Sequence, residues 1–222
     1  MSIPTVAFFD LDHTVIHKST GSSAIRMYRE RGQIGLRDVA LGAWFGLMHY
    51  LDLADAEAIM EKVLVPYAGR HIDEIHAEMA ELFEIYIRHT FFAHAVAAVR
   101  EHQQAGHRVV LLTASSAYAT RYVAEHLQVE YIATRARLHE DRFTTELERP
   151  IPYGEGKVHH AQQYLAQTGA RLADAWFYSD SHSDLPLLRA VGHPVAVNPD
   201  LRLARVARQA GWPVRRWREL LR

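Results

Sequence analysis

Two acidic groups of residues are the clearest chemical feature of this sequence. The first, Asp10-Leu11-Asp12-His13-Thr14, follows the first apolar run, and the second, Asp180-Ser181-His182-Ser183-Asp184, lies near the other end of the chain. Carboxylates can attack as nucleophiles, exchange protons or bind a hard metal ion. Between the two groups the chain has a hydroxyl at Thr113 and an amine at Lys157. Together these residue types are suited to an anionic substrate.

Carboxylates that converge raise one another's pKa unless a cation neutralises them. One or two carboxylates with water and a substrate phosphate suit Mg²⁺ better than zinc. Lys157 would then offer a point charge to the phosphate, Thr113 a hydroxyl donor, and backbone N–H groups after the strands would complete the cradle. The residues therefore predict a Mg²⁺ site that handles a phosphate group.

Each reactive group lies at or just beyond the end of a predicted element. Thr5–Phe9 predicts a buried strand that leads into Asp10, and the alternation of strands with helices predicts an α/β fold with a parallel sheet. Such sheets bind ligands beyond the carboxyl ends of their strands. Further strands are predicted at Arg108–Thr113, Glu130–Ala133, Ala175–Ser179 and Val195–Val197, a hairpin at Arg135–Leu147, and helices at Phe92–Gln104, Tyr118–Leu127, Lys157–Gln167 and Leu201–Ala210.

The segment between the first two strands is too long for a single crossover. From about Ile16 to Arg88 its apolar residues recur at helical spacing without a strong strand signal. We therefore predict an all-helical domain, residues 17–88, inserted into a core of residues 1–16 and 89–222. The apolar run Val39–Leu51 is shorter than the roughly 20 residues of a spanning helix. It is interpreted as a buried helix or the contact of a homodimer, with peripheral membrane contact as the alternative.

The composition excludes several classes of protein. With 222 residues, 49% hydrophobic and 23% charged, the chain is globular rather than disordered. Its 25 basic and 26 acidic residues give a formal charge of -1, which disfavours nucleic-acid binding. The absence of cysteine excludes thiolate catalysis, and we expect a cytoplasmic protein because no signal-peptide pattern is visible.

Taken in order, the motifs resemble those of the haloacid dehalogenase-like superfamily. They are D-x-D-x-T at Asp10–Thr14, a strand that ends in Thr113, the lysine at Lys157 and D-x-x-x-D at Asp180–Asp184. The stretches Tyr178–Ser181 and Pro194–Asp200 look like the phosphoserine-phosphatase-like branch, subfamily IB. The resemblance implies a doubly wound, Rossmann-like sheet with a helical cap inserted after the first strand. It covers the sheet domain and is weak over the cap.

The resemblance also implies a Mg²⁺-dependent phosphomonoester hydrolase that acts on a small phosphorylated metabolite through an aspartyl-phosphate. Asp10 would be the nucleophile, and Asp12 would protonate the leaving oxygen and then activate water. The implied Mg²⁺ ligands are Asp10, the backbone carbonyl of Asp12, Asp180 and Asp184. The implied phosphoryl-binding residues are Thr14, Thr113, Ala114 and Lys157, of which Thr113 and Lys157 complete the catalytic set.

Two positions depart from the residues common in this family. His13 stands between Asp12 and Thr14 where glycine is common, and Ser179 stands where a glycine often precedes Asp180. Neither position has a catalytic role in the family. We expect His13 to narrow or polarise the mouth of the site.

The early part of the cap bears on the substrate. Phosphoserine phosphatases of this branch carry a glutamate there that pairs with the substrate's ammonium group, whereas His17–Ser23 contains no carboxylate. Phosphoserine is therefore expected to be a poor substrate. Histidinol phosphate is the first alternative, because the same subgroup includes histidinol-phosphate phosphatases. If phosphoserine were preferred, Glu57 or Glu61 would have to replace the missing glutamate.

Two other functions stay open at this point. A phosphotransferase would share the covalent intermediate and pass the phosphoryl group to another acceptor. A receiver-like signalling domain also has acidic residues, Thr or Ser, and Lys around Mg²⁺. Receiver domains are shorter, however, and place the phosphorylated residue on a later strand.

Overall fold

The computed structural model describes residues 5–36 and 56–221. The strands are β1 (Val6–Phe9), β2 (Arg108–Ser116), β3 (Glu130–Thr134), β4 (Ala136–His139), β5 (Arg142–Leu147), β6 (Trp176–Ser179), β7 (His193–Val197) and β8 (Val214–Arg215). The α-helices are α1 (Thr20–Glu30), α2 (Ala56–Leu64), α3 (Ile72–Leu82), α4 (Ala93–Gln104), α5 (Ala117–Leu127), α6 (Glu155–Thr168), α7 (Leu185–Ala190) and α8 (Leu201–Ala210).

Within these ranges six strands form one parallel sheet in the order β3-β2-β1-β6-β7-β8. β2 and β3 lie on one side of β1, and β6, β7 and β8 lie on its other side. The strand order therefore reverses between β1 and β6, which is where open α/β sheets bind ligands. The predicted α/β class and doubly wound parallel sheet are confirmed.

Apolar side chains cover both faces of the sheet and fix β1 in its centre. Ala7 and Phe9 pack on one face with α4 and α5, while Val6 and Phe8 pack on the other with α6, α7 and α8. All four residues of β1 are completely buried. Burying one phenylalanine side chain contributes roughly 1.5–3 kcal/mol. The strand that leads into Asp10 is thus firmly held.

A helical region follows β1, as the prediction of an insertion requires. It contains α1, α2, α3 and a π-helical turn at Phe83–Ile87, and its apolar side chains join the same buried cluster as one face of the sheet. The boundaries 17–88 for this cap stay a prediction. The run Val39–Leu51 lies outside the described residues. In the described part of the chain, no helix is long and apolar enough to cross a membrane.

The predicted hairpin over Arg135–Leu147 is present as the antiparallel pair β4–β5. It is hydrogen-bonded to the cap through the backbone. The N–H of Gly69 donates to the carbonyl of Phe143 at 2.8 Å, that of Phe143 to Arg70 at 3.0 Å, and that of Ile72 to Asp141 at 2.8 Å. The hairpin therefore forms part of the wall between cap and core.

Candidate active site

The carboxyl ends of β1 and β6 bring the two acidic groups together. Asp10 follows β1 directly, and its backbone N–H donates to the carbonyl of Tyr178 in β6 at 2.9 Å, which continues the ladder between the strands. Asp180 follows β6. Because these strands are neighbours at the reversal of strand order, residues 170 positions apart in sequence share one site.

Lys157 is the centre of the hydrogen-bonding pattern. Its Nζ donates to Asp10 Oδ1 and to Asp184 Oδ2, each at 2.7 Å, and its side chain is 3% exposed. Asp184 Oδ2 also accepts from Ser179 Oγ at 2.6 Å. Burial alone would lower the pKa of Lys157, but the two carboxylates outweigh burial and hold that pKa above its ordinary value. A buried, charged ammonium group thus faces Asp10.

One lysine does not neutralise all of the nearby carboxylates. Burial raises the pKa of Asp10 to about 7, and Lys157 offsets only part of that rise. Burial and the charges of Asp10 and Asp184 raise the pKa of Asp180 to about 8, although Thr14 Oγ1 donates to its Oδ1 at 3.2 Å. The ionised site therefore has an excess of negative charge that a further cation would relieve.

The donor set matches the chemistry of Mg²⁺. This ion takes oxygen ligands, and it commonly uses one or two carboxylates with several waters and substrate oxygens. Asp10, Asp180 and the backbone carbonyl of Asp12 could supply such ligands. Across residues 5–36 and 56–221, no three His, Asp or Glu side chains form a complete metal cage, and Mg²⁺ does not require one. Asp184 Oδ2 accepts from Lys157 and Ser179 and so orients the lysine, and the role of Asp184 as a metal ligand stays a prediction.

Asp12 has its own set of hydrogen-bond donors. Its Oδ1 accepts from the backbone N–H of Thr20 at 2.9 Å, and its Oδ2 accepts from Ser115 Oγ at 2.8 Å and Thr20 Oγ1 at 3.3 Å. Burial raises the pKa of Asp12, while these hydrogen bonds oppose that rise. Since Thr20 begins α1, the first cap helix helps to orient this carboxyl group.

A side-chain contact of His13, which stands where glycine is common in the family, closes the loop after β1. His13 adopts a φ of 59°, in the left-handed region that favours glycine. Its side chain is exposed, and Nδ1 lies 2.9 Å from the carbonyl oxygen of His17. The imidazole thus closes the loop over five residues, and its expected effect on the mouth of the site stays a prediction.

The remaining predicted site residues, Thr14, Thr113 and Ala114, lie near the carboxyl ends of β1 and β2. Thr14 and Thr113 are buried, and Thr113 Oγ1 accepts from the N–H of Ser115 at 3.1 Å. The carbonyl of Ala114 accepts from Thr134 Oγ1 at 2.7 Å. The pairing of β2 with β3 shifts register between Thr113 and Ser116, an irregularity of the kind common beside active sites. Their assignment to the phosphoryl group stays a prediction.

A cavity of about 340 Å³ opens beside Asp12, between the cap and the core. Ser115 and Thr20 contribute to its wall next to the carboxyl group, and cap helices contribute most of the rest. Such a volume is within the range of small-molecule sites, roughly 300–1,000 Å³. The site therefore has a polar floor on the sheet and an adjoining space for the rest of a substrate.

Three contacts were missed by sequence reasoning. Thr20 and Ser115 on Asp12, and Ser179 on Asp184, were not among the predicted site residues. The sequence contains one usable signal, since Ser115 and Ser179 both lie at strand ends beside predicted residues. Thr20 gave no such signal, because its contact with Asp12 depends on how the cap sits on the core.

The fold and the site define a class of protein: an α/β protein with a cluster of carboxylates around a buried lysine where the strand order of its parallel sheet reverses. Residues 7–189 match the haloacid dehalogenase-like hydrolase family. The chain belongs to this family, in its phosphoserine-phosphatase-like branch, and it is a phosphatase. Membership of a hydrolase family sets aside the receiver-domain alternative.

Curated relatives match nearly the whole chain. It is 33% identical over 220 residues to the inhibition of morphological differentiation protein of Streptomyces azureus, covering 96% of this chain and 79% of the relative. It is 32% identical over 227 residues to a phosphoserine phosphatase of Mycobacterium tuberculosis, covering 98% and 72%. It is 30% identical over 218 residues to a histidinol-phosphatase of Neisseria meningitidis, covering 94% and 97%.

Solved structures share the fold. A protein of unknown function from Bordetella pertussis is 32% identical, with a TM-score of 0.86 and coverage of 96% of this chain and 99% of that one. A phosphoserine phosphatase solved as a phospho-aspartyl intermediate analogue has a TM-score of 0.70 at 16% identity, covering 99% and 95%. At that identity the likeness shows the fold alone.

Proposed function

We propose that this chain is a Mg²⁺-dependent phosphomonoester hydrolase that acts on a small phosphorylated metabolite through an aspartyl-phosphate on Asp10. One observation carries the proposal. The Asp10 carboxylate lies 2.7 Å from the buried ammonium of Lys157, while Asp12, two residues later, lines the cavity between cap and core. This arrangement supports the assignment of Asp10 as nucleophile and Asp12 as proton donor.

Asp10 acts as the nucleophile in the first half-reaction. One of its carboxylate oxygens forms a bond to phosphorus as the bond from phosphorus to the ester oxygen breaks. Asp12, in its protonated form, gives its proton to the departing alkoxide, which leaves as an alcohol. Lys157 favours the ionised form of Asp10, because the ammonium group is buried beside it. Bound Mg²⁺ would offset charge on the phosphoryl oxygens and on Asp10.

Asp12 acts as the base in the second half-reaction. It takes a proton from water, and the water oxygen bonds to phosphorus while the acyl-phosphate bond breaks. Inorganic phosphate leaves, and Asp10 and protonated Asp12 are regenerated. Donors from Ser115 and Thr20 hold the Asp12 carboxyl in one orientation for both transfers. Burial and these donors act on its pKa in opposite directions, as suits a group that alternates between acid and base.

Phosphoryl binding and metal binding are assigned to the residues around Asp10. We assign Thr14, Thr113, Ala114 and Lys157 to the phosphoryl oxygens, and Asp10, the Asp12 carbonyl and Asp180 to Mg²⁺. Asp184 completes this group by orienting Lys157 through the 2.7 Å hydrogen bond. A cytoplasmic location and a homodimer stay predictions.

A phosphate-release assay tests the proposal. A panel of phosphate esters, with phosphoserine and histidinol phosphate among them, should release inorganic phosphate with Mg²⁺ and not in EDTA. Transfer to an added alcohol or sugar in place of phosphate release would favour the phosphotransferase. Full activity in EDTA would remove the metal from the mechanism.

A further inference from the structure

The cavity beside Asp12 is polar near the carboxyl group and mainly apolar elsewhere. Its polar side chains cluster near the carboxyl group: Thr20 and Ser115 are bonded to Asp12, and Ser19 and Ser116 are their neighbours in sequence. The remainder of the wall is mainly apolar, from the cap and the hairpin, with Met60, Leu64, Ile75, Met79, Leu82 and Phe143. A substrate whose phosphate lies at Asp10 would direct its alcohol part toward these residues.

Two tyrosines in this wall have hydroxyl groups that are already bonded. Tyr67 donates to the hydroxyl of Tyr28 at 2.8 Å, and Tyr118 donates to the carbonyl of Ala136 at 3.3 Å. Ser19 Oγ accepts from the N–H of Ser22 at 3.0 Å and caps α1. The polar atoms of these side chains are therefore engaged within the protein.

The described part of the wall carries a charged side chain at one place. Among the described residues that line the cavity, Asp12 is the one charged side chain, and Asp12 is required for proton transfer. A second anionic group on the substrate would meet no described cation in this wall. A cationic group would meet no described carboxylate other than Asp12.

Nearby glutamates of the cap are held by arginine. Arg70 donates to both carboxylate oxygens of Glu78, at 2.8 and 3.1 Å, and Tyr28 donates to the same group at 2.9 Å. Arg149 pairs with Glu57 and with Glu61. The wall of the cavity contains none of these glutamates, so Glu57 and Glu61 do not replace the glutamate absent from His17–Ser23.

We infer that the alcohol part of the substrate is uncharged and mainly apolar. The inference rests on the proposed function, because it takes Asp10 as the position of the phosphate. By the volume of one water, about 30 Å³, the cavity has room for on the order of ten non-hydrogen atoms. An ammonium or carboxylate group that enters it loses water and, among the described residues of the wall, meets no charged side chain except Asp12. Short alkyl or arylalkyl phosphates fit this description, and amino-acid phosphates do not.

A matched pair of substrates tests the inference directly. n-Propyl phosphate and O-phosphoethanolamine have nearly the same shape, with a methyl group in one where the other has an ammonium group. We expect kcat/KM to be higher for propyl phosphate by about tenfold or more, since a lost charge-assisted contact has an effect of that order. The chemistry alone would favour phosphoethanolamine, because its alcohol is the more acidic leaving group. 2-Phenylethyl phosphate should exceed propyl phosphate, because it buries more apolar area.

A charged variant and its neutral control test the same preference from the protein side. Ala24 lies on α1, is partly buried and lines the cavity. Ala24→Glu should raise the ratio of phosphoethanolamine to propyl phosphate turnover by about tenfold over Ala24→Gln, which has the same shape without the charge. The wild-type comparison stands by itself if either variant fails to fold.

The outcomes separate this inference from the proposed function. Preference of the wild-type protein for phosphoethanolamine, or equal kcat/KM for both esters, would overturn the apolar substrate class and leave the phosphatase mechanism intact. Failure to release phosphate from every ester in the presence of Mg²⁺, nitrophenyl phosphate included, would overturn the proposed function itself.

Discussion

The chemistry at the residue scale depends on an unequal environment for neighbouring carboxylates. Asp10 and Asp184 share Lys157, whereas Asp12 is bonded to Ser115 and Thr20. In the first, the buried ammonium of Lys157 opposes the rise that burial gives the pKa of Asp10. The second combines burial with donors that act on the pKa of Asp12 in opposite directions. Different partners thus give chemically identical groups different roles.

Replacing the nucleophile should abolish turnover without unfolding the protein. Asp10→Asn keeps the shape of the side chain but removes the charged oxygen that attacks phosphorus, so kcat should fall by several orders of magnitude. Asp174→Asn is the matched control, because Asp174 is paired with Arg171 in a turn before β6, at the opposite edge of the sheet. Retention of more than about a tenth of wild-type kcat in Asp10→Asn would rule out its role as nucleophile.

Replacing the proton donor should affect substrates unequally. Asp12→Asn removes general acid catalysis, which typically contributes about 10²–10⁴-fold. The loss in kcat/KM should therefore be much larger for an alkyl phosphate, whose alkoxide needs the proton, than for nitrophenyl phosphate. Steady-state kinetics on both esters measure this difference. Equal losses on the two esters would show that Asp12 does not protonate the leaving group.

The reacting groups could be predicted from the sequence, and their partners could not. Asp10, Lys157 and Asp180 were identified because each follows or begins an element with a clear apolar pattern. The contact of Asp12 with Thr20 depends on how the cap helix α1 is positioned against the core. The contact of Asp12 with Ser115 depends on the register shift near the end of β2. Local sequence patterns contain no information on either.

At the scale of elements, the start of α6 is critical because it carries Lys157. Gly156 lies directly before the lysine and packs against the preceding loop, where a Cβ atom would come 1.9 Å from the carbonyl oxygen of Ile151. No side chain fits there without a shift of the backbone. The position of the ammonium group near Asp10 therefore depends on a glycine that does no chemistry.

Adding one methyl group at this glycine should disturb the site. Gly156→Ala should lower the free energy of unfolding by about 1–3 kcal/mol, as overpacking does, and should lower kcat by displacing Lys157. Gly21→Ala in α1 is the control for the stability readout, since its Cβ would meet nothing within 4 Å. Chemical denaturation and phosphate release give the two readouts. Wild-type values for Gly156→Ala in both would contradict this role of the α6 start.

The regular elements were predictable where the apolar pattern was strong. The central strands are buried on both faces and appear in sequence as continuous apolar runs. The edge strand β8 has no counterpart in the prediction, because Val214 and Arg215 are exposed and two residues show no periodicity. The hydrogen bonds between the hairpin and the cap join residues about 70 positions apart in sequence, such as Gly69 and Phe143, so they too escaped the prediction.

At the scale of the whole molecule, the site should reduce stability when no metal is bound. The pKa values of Asp10 and Asp180 rise on folding to about 7 and about 8. A carboxyl whose pKa is raised on folding binds its proton more tightly in the folded state. Its stabilising effect is complete at a pH below its unfolded pKa, about 3.9 for aspartate, and is lost as pH rises through the folded pKa.

Stability should therefore depend on pH and Mg²⁺ together. Between pH 5 and pH 8, the Tm of the metal-free wild type should fall relative to that of Asp180→Asn, which lacks one of these carboxyls. Mg²⁺ at a hundred times its Kd should add about 2.7 kcal/mol, or roughly 5–10 °C for a chain of this size, to the wild type and much less to the variant. Thermal unfolding across this pH range checks both effects. Parallel curves for the two proteins would contradict the account.

The sequence predicts the fold of the whole molecule better than it predicts the substrate. The order of strands follows from the alternation of elements and from general rules of chain topology. The cavity is lined by α1, α2, α3, the hairpin, the end of β2 and the start of α5, and its apolar character appears only when these are assembled. The sequence disfavoured phosphoserine because one glutamate was missing. The structure adds that no described charge replaces it in the wall.

The most direct test of the central claim is to trap the covalent intermediate. Excess enzyme is mixed with a phosphate ester labelled on phosphorus and Mg²⁺, quenched in acid on the millisecond scale, and digested for peptide mapping. We predict an acid-stable, hydroxylamine-sensitive label on the peptide that contains Asp10, which forms before inorganic phosphate and is absent in Asp10→Asn. Phosphate release without labelled protein at any time, or label on a residue other than Asp10, would contradict the aspartyl-phosphate mechanism.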